Sequence, residues 1–194
     1  MCFEVHPVTL EVEGLRLEPL AQDHAQGLFN RGQYQPDWAF MPRSCFIDMA
    51  DTRQWIDEAV IAPNQIPFAI VETGKGRAVG SSRYLNISAE HKRLEIGWTW
   101  LGQEWQRTNI NTQAKLLLLS HAFERLGCVR VEFKTDERNL RSQRALERIG
   151  ATREGVLRNH MIVQKDFSRS SVYFSVIDHE WPDVKKRLLQ LRDR

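Results

Sequence analysis

The densest apolar stretch of the chain lies between Thr112 and Leu126, where Leu116, Leu117, Leu118 and Leu119 follow one another. Consecutive leucines point to all sides of a helix, so this segment predicts a helix covered on two sides and stopped at Gly127. Asn139 to Arg148 has helical spacing and ends before Gly150, and Asp183 to Arg192 predicts a closing helix. Nearer the start, Asp23 to Phe29 predicts a short helix capped by Asp23. Asp51 to Ile61 predicts a longer one, with Trp55, Ile56, Ala59 and Val60 apolar, a cap at Asp51 or Thr52, and a stop at Pro63. Gly32, Pro36 and Pro42 break up Arg31 to Asp48, which reads as a loop with helical turns.

Period-two patterning supplies the strands. Leu10 to Leu20 alternates in part and reads as one strand interrupted by Gly14 and ending at Pro19. Pro67 to Glu72 and Ala78 to Ile87 flank Thr73-Gly-Lys-Gly76, a hairpin signal. Arg93 to Leu101, Val129 to Thr135, Ala151 to Asn159 and Ser171 to Asp178 complete the set. Helices first, then a meander, then a strand-helix-strand pass imply an α/β chain with a mixed sheet and helices on both faces.

The chain has 194 residues, which fits a single domain over 1–194 with a core of its own. Lys and Arg number 27 against 25 Asp and Glu, a formal charge of +2, which argues against direct nucleic-acid binding through many phosphates. Cys2, Cys45 and Cys128 are far apart, without a Cys-x-x-Cys pair or a histidine at ligand spacing, so no metal site and a reducing compartment are expected. The N-terminus lacks the marks of a secretion signal, and no apolar run approaches the roughly 20 residues of a membrane span. A soluble, cytoplasmic protein is expected. Trp38, Trp55 and Trp181 are candidates for an exposed aromatic contact, consistent with a monomer or homodimer.

Trp105-Gln-Arg-Thr-Asn-Ile-Asn-Thr-Gln-Ala-Lys115 runs from a strand-like segment directly into the leucine-rich helix. The first N–H groups of a helix lack intrahelical partners and stand at the positive end of its dipole, and Arg107 adds a full charge beside them. An ordinary helix start capped by Asn111 or Thr112 would look similar. The surrounding residues narrow the choice. Gln106-Arg-Thr-Asn109-Ile-Asn111 occupies the place of a Gln/Arg-x-x-Gly-x-Gly/Ala loop. Asn139-Leu-Arg-Ser142 continues through Ala145, Leu146 and Ile149 to Gly150, and Leu94-Glu95-Ile96-Gly97-Trp98 precedes the loop. Together these resemble the GNAT family of N-acetyltransferases, and in particular its Rim-type branch, to which Glu154-Gly155 is also similar.

The resemblance implies the GNAT acyl-coenzyme A fold, with a central, mostly antiparallel sheet. It implies acetyl-coenzyme A as co-substrate, no metal, and a primary amine, on a protein N-terminus or a small molecule, as acceptor. Coenzyme A contacts are expected from Trp98, Thr99, Trp100, Gln106, Arg107, Thr108, Asn109, Ile110, Asn111, Thr112, Asn139 and Ser142. Asn109 and Asn111 stand where the family carries Gly or Ala. Asparagine is the next best residue for left-handed backbone angles, so the loop can still fold, and a side chain at either place narrows the approach of the pyrophosphate unless the amide points away or bonds a phosphate oxygen itself. The strand from Glu95 to Leu101 is expected to splay from Val129 to Thr135 and admit the pantetheine arm, with N–H groups near Trp98 to Trp100 acting on the thioester oxygen.

Glu95 is the candidate acceptor of the amine proton, because a carboxylate partly buried between strands is a better base than a free one. A salt bridge to Arg93 or Arg130 is the alternative. Ser142, three residues after Asn139 on the first helical turn, is the candidate proton donor to the departing sulfur. Tyr173 is assigned to core packing. Asp37, Trp38, Phe40 and Met41 are expected to bind the acceptor, with Arg158 and His160 as further candidates. Two rivals remain. One is a non-catalytic acyl-coenzyme A sensor or partner-binding module of the same fold. The other is a nucleotide binder, against which the absence of Gly-x-x-x-x-Gly-Lys-Ser/Thr counts.

Overall fold

Gly14, at φ 85°, folds the first alternating segment back on itself. Leu10–Val12 (β1) and Leu15–Pro19 (β2) are therefore an antiparallel hairpin rather than the single strand the pattern predicts. The computed structural model describes residues 3–164 and 166–193, and Cys2 lies outside them. After β2 a single 3-10 turn, Gln22–His24, leads into Ala25–Arg31 (α1); His24 Nδ1 accepts from Ala21 N at 3.0 Å at its start, and Asp23 does not take the predicted capping role. A second 3-10 turn, Gln35–Trp38, sits in the predicted loop. Met49–Ile61 (α2) starts two residues earlier than expected because Asp48 caps it, accepting from Asp51 N at 2.8 Å.

Ile66–Glu72 (β3) and Arg77–Ser88 (β4) form the predicted hairpin, and Arg93–Leu101 (β5) keeps its predicted bounds. Ile110–Ser120 (α3) begins before Thr112 and runs on through a π turn, His121–Arg125, toward Gly127. Arg130–Asp136 (β6), Leu140–Ile149 (α4), Thr152–Val163 (β7), Phe167–Ile177 (β8) and Trp181–Arg192 (α5) complete the chain. The strands form one sheet in the order β1-β2-β3-β4-β5-β6-β8-β7, antiparallel throughout except where β5 meets β6.

Register decides what each face carries, because residues opposite one another share a face. Leu94 opposite Val131, with Phe133, Phe174 and Val176, forms one core beneath α3, α4 and α5. The other face of β3 to β5 is covered by α1 and α2, where Trp38, Phe46, Trp55 and Trp100 make a second core. Each of these rings contributes about 1.5 to 3 kcal/mol by burial. The same face continues across β5, β6 and β8 as Glu95, Glu132, Lys134, Asp136, Ser171 and Tyr173. Tyr173 is therefore on this polar face, edge-on to the His160 ring at 5.6 Å, and not in the core as expected.

The tryptophans do not provide an exposed contact. Trp38, Trp55 and Trp181 are 0 %, 3 % and 6 % exposed, because each is packed into one of the two cores. No helix among the described residues is long and apolar enough to cross a membrane.

One charge lies within the leucine-rich helix. Lys115 is 6 % exposed, donates from Nζ to Thr99 Oγ1 at 2.9 Å, and stands over the Phe133 ring. Burial pulls its pKa down from 10.5 to about 7. Below pH 7 the native state must hold an enclosed ammonium, a full penalty. As pH rises from 7 toward 10.5 the native amine is neutral while the unfolded chain still binds the proton, so the penalty is progressively relieved. The stability advantage of Lys115→Met over wild type is expected to be largest near about pH 6 and to shrink toward about pH 10. Melting curves of both proteins across that range check this, and a pH-independent difference would refute it.

Candidate active site at the parting of two strands

β5 and β6 pair only from Arg93 opposite Arg130 to Glu95 opposite Glu132. Beyond that point β5 is drawn toward β4 by a bulge in which Ser82 faces both Trp98 and Thr99, between the pairs Arg83–Gly97 and Ser81–Trp100. Trp98 sits at φ 52°, a costly backbone angle for a bulky residue. The Arg83 guanidinium holds it there, 4.4 Å from the Trp98 ring and 5.0 Å from Trp55, buried enough that its pKa falls to about 10. Ser82 Oγ and Thr99 Oγ1, 2.8 Å apart, tie the bulge across the strands.

A cavity of about 690 Å³ occupies the parting. It crosses the sheet, with Thr99, Lys115, Phe133 and Ala145 on the helix-covered side and Glu95, Lys134, Arg169 and Met161 on the polar side. Of the residues expected to meet coenzyme A, Trp98, Thr99, Trp100, Gln106, Arg107, Thr108, Asn111, Asn139 and Ser142 line this cavity. Ile110 is packed into the core and Thr112 is buried, so what these two can offer is backbone rather than side chain.

The loop before α3 differs from its sequence reading. Arg107, at φ 61°, takes the left-handed angle, whereas Asn109 is α-helical at φ −76° and Asn111 lies inside the helix. The turn needed for the loop thus falls before the asparagines. Neither Asn111 nor Thr112 caps the helix; Thr108 Oγ1 accepts from Ile110 N at 3.3 Å. Among the described residues, the N–H groups of Arg107, Thr108, Asn109, Asn111 and Thr112 have no protein partner. Such a set of donors suits a multiply charged anion.

Three arginines that the motifs did not single out reinforce this end. Arg141, Arg144 and Arg148 lie at i, i+3 and i+7 on α4 and line the cavity. Arg141 donates to Gln106 Oε1 at 2.9 Å, while Gln106 donates to Leu101 O, and Arg148 reaches Thr112 Oγ1 at 3.4 Å. Their spacing is visible in the sequence; that the stripe faces α3 is not. Asn139 caps α4, its Oδ1 accepting from Ser142 N at 3.0 Å, so both side chains stand together at the cavity wall.

Glu95 is 1 % exposed. Its Oε2 accepts from Asn86 at 2.9 Å and Lys134 at 3.1 Å. The expected partners Arg93 and Arg130 are engaged with Glu132 instead. Its other oxygen, Oε1, lies over Gly97, where a Cβ would come within 2.9 Å of it. Glycine at this position therefore lets the carboxylate stand against the bulge.

Asp37, Phe40 and Met41 form the roof of the polar half, but Trp38 turns away into the second core and lines no cavity. Gln164 Nε2 lies 2.7 to 2.8 Å from the carbonyls of Trp38, Met41 and Arg43, clasping the roof to the turn after β7. Arg158 is exposed and His160 is engaged with Ser171 Oγ at 3.1 Å, and neither lines the cavity. Cys128 is buried, its thiol pushed up to about 12, which makes it a poor nucleophile.

Comparison with known proteins agrees with this arrangement. Residues 14–152 match the acetyltransferase (GNAT) domain family. The Bacillus subtilis protein named "putative ribosomal N-acetyltransferase YdaF" is 31% identical over 110 residues, 57% of this chain and 59% of that protein, so the chain spans less than two thirds of that relative's length. The crystal structure of a GCN5-related N-acetyltransferase from Brucella melitensis superposes with a TM-score of 0.90 at 27% identity, covering 98% of this chain and 96% of the other. A "putative acetyltransferase" structure from T. thermophilus gives 0.88 at 37% identity, covering 96% and 98%. With its mostly antiparallel sheet, its bulged and parted central strands and a family match over most of its length, the chain belongs to the GNAT family of acetyltransferases.

Proposed function

We propose that the protein moves an acetyl group from acetyl-coenzyme A to a primary amine, on a protein N-terminus or a small molecule, by direct transfer with both substrates bound. The observation that carries this reading is the cavity that passes through the sheet, with a cationic, donor-rich end at α3 and α4 and a mixed-charge end over β6 and β8. Arg107, Arg141, Arg144 and Arg148 and the free N–H groups at the start of α3 suit the phosphates of the co-substrate. The narrow parting between β5 and β6 suits its extended arm.

When bound, the thioester supplies an activated acetyl carbonyl, and the backbone at Trp98 and Thr99, at the bulge where the register with β4 shifts, is the candidate to polarise it. Glu95 Oε1, beside Gly97, is the base of this reading. The amine nitrogen forms the new C–N bond as the C–S bond breaks, Glu95 takes the amine proton through water and releases it to solvent, and Ser142 passes a proton to the departing sulfur while regaining one from solvent, so the products are an amide and a free thiol. Asn139, by capping α4, holds Ser142 at the wall. No cysteine takes part, in keeping with the raised pKa of Cys128.

Steady release of free thiol from acetyl-coenzyme A in the presence of an amine panel tests the reading; coenzyme A binding without thiol release from any amine would replace it with a sensor. Glu95→Gln is expected to lower kcat by about 10²-fold or more with little change in coenzyme A affinity, measured by calorimetry. Gly97→Ala, whose Cβ would meet Glu95 Oε1 and Leu85, is expected to lower kcat while costing about 1 kcal/mol of stability in urea unfolding. Unchanged turnover in both variants would remove Glu95 from the mechanism.

A further inference from the structure

Two polar atoms of opposite character are buried in the acceptor half of the cavity without a protein partner. Arg169, on β8, is 4 % exposed, its Nε is unpartnered, and its guanidinium makes one long bond, from Nη1 to Phe40 O at 3.4 Å. Among the described residues no carboxylate lies within salt-bridge distance of it. Asp37, in the roof, likewise keeps Oδ2 buried and unpartnered.

The carboxylates that could neutralise Arg169 are already committed. Both oxygens of Asp136 accept from Arg138, at 2.9 and 2.7 Å, and Glu95 is held by Lys134 and Asn86. Arg83, the other deeply buried guanidinium, is compensated differently, by two indole faces and Gln65, and does not reach the cavity. Arg169 has no aromatic face among the described residues and does reach it. A buried, unpaired charge is costly, and an anion brought by a ligand removes that cost. A guanidinium's planar fork matches a carboxylate.

We propose that the acceptor is an amine bearing a carboxylate, its ammonium group drawn in by Asp37 and Glu95 and its carboxylate received by Arg169. The inference rests on the transfer reading above and narrows its acceptor class. A free amino acid and a peptide N-terminus followed by an acidic side chain both present this chemistry.

The test measures thiol release by the full chain from acetyl-coenzyme A with acceptors paired to differ in the carboxylate alone. The pairs are amino acids against their amides, and short peptides with glutamate against glutamine in second position. The carboxylate member of at least one pair is expected to have a kcat/KM about tenfold or more above its partner, and which pair shows it identifies the source. Arg169→Gln should bring that ratio close to one, mainly through KM, and Arg169→Lys should keep part of it, with coenzyme A binding retained in both as the check on folding. Equal rates within every pair, or a ratio unchanged in Arg169→Gln, overturns the proposal. Should no acceptor turn over, the transfer reading fails, and calorimetric titration of the same pairs onto the coenzyme A-bound protein still decides this one. Carboxylate-dependent binding that Arg169→Gln abolishes supports it; binding indifferent to the carboxylate, or none, overturns it.

Discussion

The stack of Arg83 between Trp55 and Trp98 is the contact on which the rest of the site depends. It fixes a tryptophan at a left-handed backbone angle inside a strand, and that angle is what makes two residues of β5 face one of β4. The bulge bends β5 away from β6, so the sheet parts in its middle without losing its hydrogen bonds elsewhere. A uniform sheet would have no opening there, and the residues gathered round it would be ordinary surface.

Because the parting passes through the sheet, the two faces contribute different chemistry to one cavity. The face under α3 and α4 brings backbone donors and a stripe of arginines, which suit a polyanion at one end. The opposite face, left without a covering helix over β6 and β8, brings Glu95, Lys134 and Arg169 together under the loop that carries Asp37 and Phe40. Most of these charges are neutralised pairwise, as Glu95 by Lys134 and Asp136 by Arg138. On this face Arg169 Nε and Asp37 Oδ2 are left buried without a protein partner, which is what the proposed acceptor would supply.

Much of this was legible in the chain because local rules govern it. The hairpin at Thr73 to Gly76, β5 from Arg93 to Leu101 and the α4 stop at Gly150 follow from turn chemistry and periodicity, and the structure keeps them. Helix starts were less legible: Asp48 rather than Asp51 caps α2, and α3 begins at Ile110, because caps depend on which backbone angle breaks first. Where the left-handed angle of the loop before α3 falls was not legible either. An asparagine tolerates a left-handed angle but does not impose one, and the strain fell on Arg107. Trp38 reads equally well as a pocket wall or a core residue in any sequence, and packing against Phe46 and Trp100 settled it.

The sequence by itself determined the order of elements, the family motifs and the helix start suited to an anion, since each rests on neighbours a few residues apart. Only the tertiary structure decided which charges face one another. Glu95 meets Lys134 across 39 positions of chain, Arg141 meets Gln106 across 35, and Arg169 meets the roof at Phe40 across 129. Those meetings follow from strand register and from the bulge at Trp98, which no local pattern encodes, and it is they that turn a helix start into one end of a cavity.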